Sequence, residues 1–161
     1  MNFRSVLVYV SARMPWARNF LLNMLLDRVS LSAEIASGCH FEGKHIIIED
    51  HAFVNRFCRF FAHDKEGGAI FIGKNAVLAM GVTLTTHTHT ISDAKRRAPR
   101  KTVLKPIRIE EGCWLGANVT VLPGVTIGKG TVVGAGTVVI KDLDSNSLYV
   151  GNPARKVKDL K

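Results

Sequence analysis

Two histidines separated by a single residue are the side chains in this sequence best suited to acid–base chemistry. His87 and His89 lie in the segment VTLTTHTHTISD. An imidazole has an ordinary pKa of about 6.5, so the neutral ring can accept a proton near neutral pH. Such a base can take the proton of a hydroxyl that acts as a nucleophile. We expect one of these two rings to act in this way, and the other four histidines have no comparable setting.

A basic run, KRRAPRK at 95–101, follows the histidines. The whole chain carries 22 Lys and Arg against 13 Asp and Glu, which gives a formal charge of +9 at pH 7. Because a positive surface attracts anions, Arg96 and Arg97 are candidates for binding a ligand that bears a uronate, sialate or phosphate group. The alternative is a solvated loop without a ligand. Nucleic acid is not expected as a partner, since no aromatic stacking platform accompanies the charge.

Aliphatic residues recur every six positions in the C-terminal half of the chain, and this is the strongest structural signal in the sequence. The run has no slip and consists of Ile109, Leu115, Val121, Ile127, Val133 and Val139. An amphipathic helix would place apolar residues at a spacing near 3.6, and a hairpin strand would alternate with period two. A period of six instead predicts short strands joined by regular turns and wound into a parallel β-helix.

The same ladder continues upstream. Its members there are Ile48, Val54, Phe60, Ile72, Leu78 and Leu84. The breaks at 63–68 (HDKEGG) and at 87–106 are expected to be loops extruded from the coils. The predicted organisation is an N-terminal helical segment at 1–30, an all-β helix at 31–142 with its loop at 87–106, and a C-terminal tail or cap at 143–161.

The three cysteines fall in a small slot of the repeat that should face inward. Cys39, Cys58 and Cys113 are odd in number, widely spaced and without a CxxC pair. This pattern does not suggest a disulfide framework or a zinc ribbon, and it favours a reducing compartment such as the cytoplasm. A thiol buried in an apolar stack behaves as a small hydrophobe with a raised pKa, so cysteine catalysis is not expected.

The region from Pro15 predicts an amphipathic helix, because proline suits the first helical turn. Its apolar stripe consists of Trp16, Phe20, Leu21, Met24 and Leu25, with Arg18 and Asn19 largely elsewhere. We expect this stripe to pack on the rest of the domain. The alternative is a weak peripheral contact with a membrane surface. No stretch of the sequence reaches the roughly 18 apolar residues that a membrane-spanning helix needs.

The segment IEEGCWLGANVTVLPGVTIGKGTVVGAGTVVIKD, followed by GNPAR, closely resembles the hexapeptide-repeat O-acetyltransferases, which include maltose, galactoside and polysaccharide acetyltransferases. The resemblance spans about residues 31 to 158. It implies a left-handed β-helix, an exception to the usual right-handed crossover, and a homotrimer whose subunits pack side by side. It also implies direct transfer of an acetyl group from acetyl-CoA to a saccharide hydroxyl, with no metal. A surface-polysaccharide precursor is the first expectation for the acceptor, and an antibiotic is the alternative.

The resemblance also carries roles to individual residues. The catalytic histidine follows a VTL-type strand by a few residues, which places it at His89, with His87 in reserve because Thr90 stands where the family often has proline. Asn55 aligns loosely with an acceptor-contacting asparagine. The residues implied in acetyl-CoA binding are Trp114 and Ala117 at the thioester, Ala135 at the pantetheine arm, and Lys141, Arg155 and Lys158 at the phosphates or adenine.

Two other functions are compatible with a stack of six-residue repeats. One is a zinc carbonic anhydrase of the γ type, whose metal is held by three histidines. His87 and His89 could belong to such a site, but no third histidine stands at a matching phase of the repeat. The other is a scaffold without catalytic activity, which would have no use for the histidine loop and the GNPAR segment.

Overall fold

The computed structural model describes residues 15–65, 67–98 and 101–161. Within them the chain winds through five coils, and each coil contributes one short strand to each of three sheets. Sheet A contains β1 (Arg28–Val29), β4 (Ile46–Ile48), β7 (Ile70–Ile72), β12 (Ile107–Ile109) and β15 (Thr126–Ile127). Sheet B contains β2 (Glu34–Ile35), β5 (Phe53–Val54), β8 (Val77–Leu78), β13 (Trp114–Leu115) and β16 (Val132–Val133). Sheet C contains β3 (His40–Glu42), β6 (Arg59–Phe61), β9 (Thr83–Thr85), β14 (Thr120–Val121) and β17 (Val138–Val139).

The strands of successive coils pair in parallel and in register, which explains the six-residue period. Ile109 pairs with Ile72 on one side and with Ile127 on the other, and all three side chains are fully buried. Each aliphatic residue of the ladder therefore lies directly above the one before it and fills the interior of the prism. The predicted parallel β-helix is confirmed.

The three cysteines are free and buried, as predicted. Burial raises the pKa of Cys113 to about 11. The pKa of Cys58 is also raised, first by its hydrogen bond with Cys39 and then by burial. Cys39 departs from the expectation, because its side-chain hydrogen bond with Cys58 lowers its pKa.

We name the three corners of the prism by the sheets they join: the A–B edge, the B–C edge and the C–A edge. At the B–C edge every described coil turns through one residue with a positive φ angle, and at the A–B edge every coil after the first does so, as does the turn beyond the fifth coil. At the B–C edge these residues are Gly38, Phe57, Gly81, Asn118 and Gly136, and at the A–B edge they are His51, Asn75, Gly112, Gly130 and Asn146. Glycine and asparagine adopt this conformation most readily, which explains why they dominate both columns.

Both breaks in the repeat leave the prism at the C–A edge. The longer one contains an antiparallel hairpin of β10 (His87–His89) and β11 (Thr102–Leu104). The hydroxyl of Thr86, at the base of this hairpin, donates to the carbonyls of Phe61 and Gly68. These bonds attach the hairpin to the shorter 63–68 loop, which leaves the coil before it at the same edge.

The N-terminal helix, α1 (Pro15–Leu22), closes one end of the prism with a different face from the one predicted. Arg18 is 7% exposed and Asn19 is fully buried, whereas Phe20 and Met24 are 63% and 73% exposed. The predicted packing of the apolar stripe is therefore wrong for Phe20 and Met24. The first coil has backbone carbonyls without a strand neighbour, and Asn19 donates to those of Ser30 and Ala33. Residues 1–14 and the side chain of Trp16 lie outside the described part of the chain.

The other end of the prism is closed by a C-terminal strand pair. The strand β18 (Ser147–Val150) continues sheet B above β16, and β19 (Arg155–Asp159) pairs antiparallel with β18. Buried Tyr149 donates its hydroxyl to Asp144. No helix within 15–65, 67–98 and 101–161 has the length and hydrophobicity for a membrane crossing.

Candidate active site

The two candidate histidines project from the same strand of the hairpin. In β10 they flank Thr88, so both rings lie on one face of the ribbon. His87 pairs across the hairpin with Leu104 and is half-buried, whereas His89 pairs with Thr102 and is exposed. The hairpin thus places one ring against the prism and the other at the surface.

The imidazole of His89 has a backbone partner that defines its tautomer. Its Nδ1 lies 3.3 Å from the carbonyl oxygen of Lys101. A carbonyl can only accept a hydrogen bond, so Nδ1 must carry the proton when this bond forms. The neutral ring then presents an unprotonated Nε2, which is the atom that a general base needs.

His87 has a different environment. Its Nδ1 is buried and has no hydrogen-bond partner in the described part of the chain. Its ring packs edge-on against His63, with 6.4 Å between the centroids and 74° between the planes. A buried nitrogen without a partner is costly, because it loses its hydrogen bond with water and gains none in return.

His63 is a residue that the sequence analysis left without a role. It comes three positions after Phe60, just as His87 comes three positions after Leu84, and both aliphatic residues belong to the ladder. Residues at the same position of the six-residue repeat in consecutive coils lie one above the other, so His63 and His87 lie at the same edge of the prism. The repeat phase was therefore the signal that could have found this contact.

The residues implied in thioester and pantetheine binding lie together on sheet B and the B–C edge. Trp114 stands on the outer face of β13, 54% exposed, between Val77 and Val132. Ala117 and Ala135 occupy the same corner position in adjacent coils, since the N–H of Gly136 donates to the carbonyl of Ala117. Among the described residues no acceptor takes the N–H of Ala117 or of Ala135. The corner therefore presents free backbone donors one above the other.

The GNPAR segment continues the B–C edge at the C-terminal end of the prism. The N–H of Gly151 donates to the hydroxyl of Thr137, and that of Ala154 donates to the carbonyl of Val138. Arg155 begins β19 directly after this turn and is exposed, as is Lys158. Arg155 is thus close to the column of free donors, whereas Lys158 pairs with Leu148 toward the A–B end of sheet B.

Two neighbouring lysines do not join this group. Lys156 pairs with Asp159 at 2.7 Å and Asp144 at 3.1 Å, and these carboxylates raise its pKa. Lys141 follows β17 and lies at the C–A edge, across sheet C from Arg155. A single chain therefore does not bring Lys141 together with the other implied cations.

The acceptor candidates also divide between the two edges. Arg96 and Arg97 are exposed at the tip of the hairpin, where Asp93 accepts the N–H groups of Lys95 and Arg96. Pro99 and Arg100 of the basic run fall outside the described residues. Asn55 lies on the B–C edge, and its side-chain oxygen accepts the N–H of the next residue at 2.7 Å. In one chain, sheet C separates these two sets by roughly 15 Å, the length of five extended residues.

In the described ranges no three His, Cys, Asp or Glu side chains form a group that could hold a metal ion. The histidine pair at the C–A edge, His63 and His87, has no third ligand there. The arrangement thus offers acid–base chemistry and hydrogen-bond donors.

Comparison with known proteins connects this arrangement to an enzyme family. The family described as "Bacterial transferase hexapeptide (six repeats)" matches residues 106–141, and "Hexapeptide repeat of succinyl-transferase" matches residues 69–86. A galactoside O-acetyltransferase of Lactococcus lactis is 44% identical over 94 residues, which cover 56% of this chain and 44% of that protein.

Two crystal structures are similar over most of the chain. A maltose O-acetyltransferase from Clostridium difficile 630 has a TM-score of 0.83 and 30% identity, covering 96% of this chain and 81% of that one. A hexapeptide-repeat-containing acetyltransferase of Vibrio cholerae O1 biovar eltor, complexed with acetyl-CoA, has a TM-score of 0.80 and 34% identity, covering 90% and 77%.

This chain therefore belongs to the hexapeptide-repeat acetyltransferase family. It spans about half the length of the curated relatives it matches.

Proposed function

We propose that this protein is an O-acetyltransferase that transfers an acetyl group from acetyl-CoA to a hydroxyl of a saccharide. The observation that carries the proposal is the exposed imidazole of His89, whose Nδ1 faces a backbone carbonyl and whose Nε2 is free to accept a proton. Family membership supports the acetyl donor, since one similar structure was solved with acetyl-CoA. Galactoside and maltose acetyltransferases among the relatives support a saccharide acceptor.

In the proposed reaction, Nε2 of His89 takes the proton of the acceptor hydroxyl as the oxygen attacks the thioester carbonyl carbon. A tetrahedral intermediate forms, and the N–H of Ala117 donates to its oxyanion. The C–S bond then breaks, the electron pair goes to the sulfur, and the imidazolium returns its proton to the leaving CoA thiolate. The products are an acetyl ester and free CoA, with no covalent intermediate on the protein.

The separation of the two edges supports a site shared between subunits of a homotrimer. Within one chain, sheet C lies between the base of the His89 hairpin at the C–A edge and Ala117 at the B–C edge. Packing the C–A edge of one subunit beside the B–C edge of the next would bring the two residues together. The same arrangement would bring Lys141 of one subunit near Arg155 and Lys158 of the next.

The B–C edge is proposed to hold the coenzyme lengthwise. Ala135 would donate its free N–H to the pantetheine arm, Trp114 would cover the acyl end, and Arg155 and Lys158 would bind phosphate. Alanine at position 117 has no hydroxyl, so a contact from that residue can come only from its backbone. The exposed Arg96 and Arg97 support an anionic acceptor, such as a surface-polysaccharide precursor. Three free, buried thiols support a cytoplasmic location.

The test is a coupled assay of free CoA release across a panel of saccharides, run on the wild-type protein. The proposal expects release only when a saccharide is present, with stoichiometric formation of an acetyl ester. Release without any acetylated product, or no release with neutral and anionic saccharides alike, would contradict it. Light scattering on the same sample tests the trimer, and a monomer that is fully active would overturn the shared site.

A further inference from the structure

Phe57 is an exception within its column of the B–C edge. It has a φ angle of 62°, and the other four residues with positive φ at this edge are Gly38, Gly81, Asn118 and Gly136. A bulky side chain rarely adopts this conformation, because its Cβ approaches the following carbonyl, whereas glycine avoids the clash and asparagine tolerates it. Phenylalanine is therefore a poor choice for stability at this position. A residue kept in such a conformation points to a role other than folding.

The Cδ1–Cε1 edge of the Phe57 ring lies next to Gly38 of the preceding coil. A Cβ atom on Gly38 would lie 2.6 Å and 2.7 Å from Cδ1 and Cε1 of the ring, so only glycine at position 38 accommodates it. The side chain is nevertheless 62% exposed. One edge of the ring thus rests on the backbone of the preceding coil, and most of the side chain is open to solvent.

A chain of backbone hydrogen bonds connects Phe57 to the proposed coenzyme-binding column. The N–H of Gly81 donates to Arg56, that of Asn118 to Met80, and that of Gly136 to Ala117. Phe57 therefore lies two coils from Ala117, or roughly 10 Å at the usual spacing of strands. It lies on the side away from Arg155, so it is beyond the acyl end of a coenzyme bound along the edge. That is the side from which an acceptor must approach the thioester.

We propose that Phe57 forms an acceptor subsite in which its exposed ring stacks on a pyranose ring. This inference rests on the proposed function and specifies the acceptor of the same site. One face of many pyranoses presents mainly C–H groups, and an aromatic ring binds such a surface with little loss of conformational entropy. Exposed Arg56, the preceding residue, adds a cation beside the ring for an acidic sugar. Met80, 54% exposed in the next coil, continues the apolar surface toward Ala117.

The test compares Phe57→Asn and Phe57→Trp with the wild type in steady-state kinetics. Phe57→Asn introduces the residue that Asn118 already provides at the same corner, so the melting temperature should be unchanged or higher. The KM for the saccharide should rise about fivefold to tenfold, and the KM for acetyl-CoA should not change. Phe57→Trp keeps an aromatic face, and its acceptor KM should stay within about twofold of the wild type.

His51→Asn is the matched control, since exposed His51 has a φ angle of 56° at the A–B edge. It changes a comparable turn on a different edge and should leave both KM values unaltered. An unaltered acceptor KM in Phe57→Asn would overturn the inference. So would a lower melting temperature together with a smaller oligomer, because that result would assign the ring to subunit packing.

A second measurement separates this inference from the proposed function. Saturation-transfer NMR with maltose and a methyl galactoside detects binding without turnover. If no saccharide yields CoA, the proposed function fails, and the NMR signal alone decides the role of Phe57. A signal in the wild type that disappears in Phe57→Asn supports the subsite. Equal signals in both proteins, or none in the wild type, overturn it.

Discussion

The B–C edge and the C–A edge are built from the same six-residue repeat, but they present different chemical groups at the surface. The B–C edge repeats one turn in all five described coils, and its successive corners are joined by backbone hydrogen bonds. Two of the corners at the C–A edge are replaced by excursions, which carry His63, His87 and His89. The regular edge presents backbone donors at a fixed spacing, and the irregular edge presents reactive side chains. A long coenzyme needs backbone donors at a fixed spacing, and a proton transfer needs a reactive side chain.

The largest effect should come from removing the base on the irregular edge. His89→Ala is expected to lower kcat by about 10² to 10⁴, because no other group would take the hydroxyl proton. Acetyl-CoA affinity, measured by calorimetry, should be retained, since the B–C edge is untouched. His87→Ala should cost less. If His87→Ala instead abolishes turnover while His89→Ala does not, the base is His87.

The next effect should come from removing one backbone donor on the regular edge. Ala117→Pro deletes the proposed oxyanion donor, and kcat should fall by about 10² to 10³. The substitution suits the turn, because Pro123 already occupies the same position before Gly124, which has a positive φ angle. Circular dichroism and thermal melting should therefore be close to those of the wild type.

Lys74→Pro is the matched control for that experiment. Lys74 precedes Asn75 at the A–B edge, and like Ala117 it follows a glycine. It should leave kcat within about twofold of the wild type. Equal losses in Ala117→Pro and Lys74→Pro would mean that proline disturbs the coil, and the N–H of Ala117 would lose its assigned role.

A stability measurement tests how tightly the regular edge is packed. A Cβ atom on Gly116 would lie 2.6 Å from the backbone nitrogen of Ala135, so Gly116→Ala must push two coils apart. We expect a loss of about 1–3 kcal/mol in unfolding free energy by chemical denaturation. Gly136→Ala, where the Cβ would meet nothing within 4 Å, should lose only the smaller cost of its positive φ angle. A larger loss of unfolding free energy in Gly136→Ala than in Gly116→Ala would contradict the packing described for this edge.

The smallest effect should come from the tip of the irregular edge. Replacing Arg96 and Arg97 together by alanine should raise the KM for an anionic saccharide up to about tenfold and leave that for a neutral saccharide unchanged. The effect should shrink as salt is added, because both side chains are exposed. An equal rise in KM for neutral and anionic saccharides would show that charge attraction by Arg96 and Arg97 is not the cause.

Much of the fold could be predicted because the repeat acts locally. The six-residue spacing of Ile109, Leu115 and Val121 predicts which side chains face inward, and all three are fully buried. The helix α1 shows the limit of this reasoning. Its apolar spacing wrongly placed Phe20 against the prism, because the open backbone groups of the first coil select Asn19 as their partner. The spacing of apolar residues in the helix does not predict which backbone carbonyls of the first coil need a hydrogen-bond donor.

The sequence by itself determined the coil stack, the inward position of the cysteines and the phase at which both excursions begin, since each depends on residues six positions apart. Only the tertiary structure decided that His63 contacts His87, that the Nδ1 of His89 faces Lys101, and that the ring of Phe57 rests on Gly38. These contacts join residues from different coils or from opposite strands of the hairpin. The distances between these residues depend on how the coils stack and how the hairpin folds. Spacing along the sequence does not specify either of these.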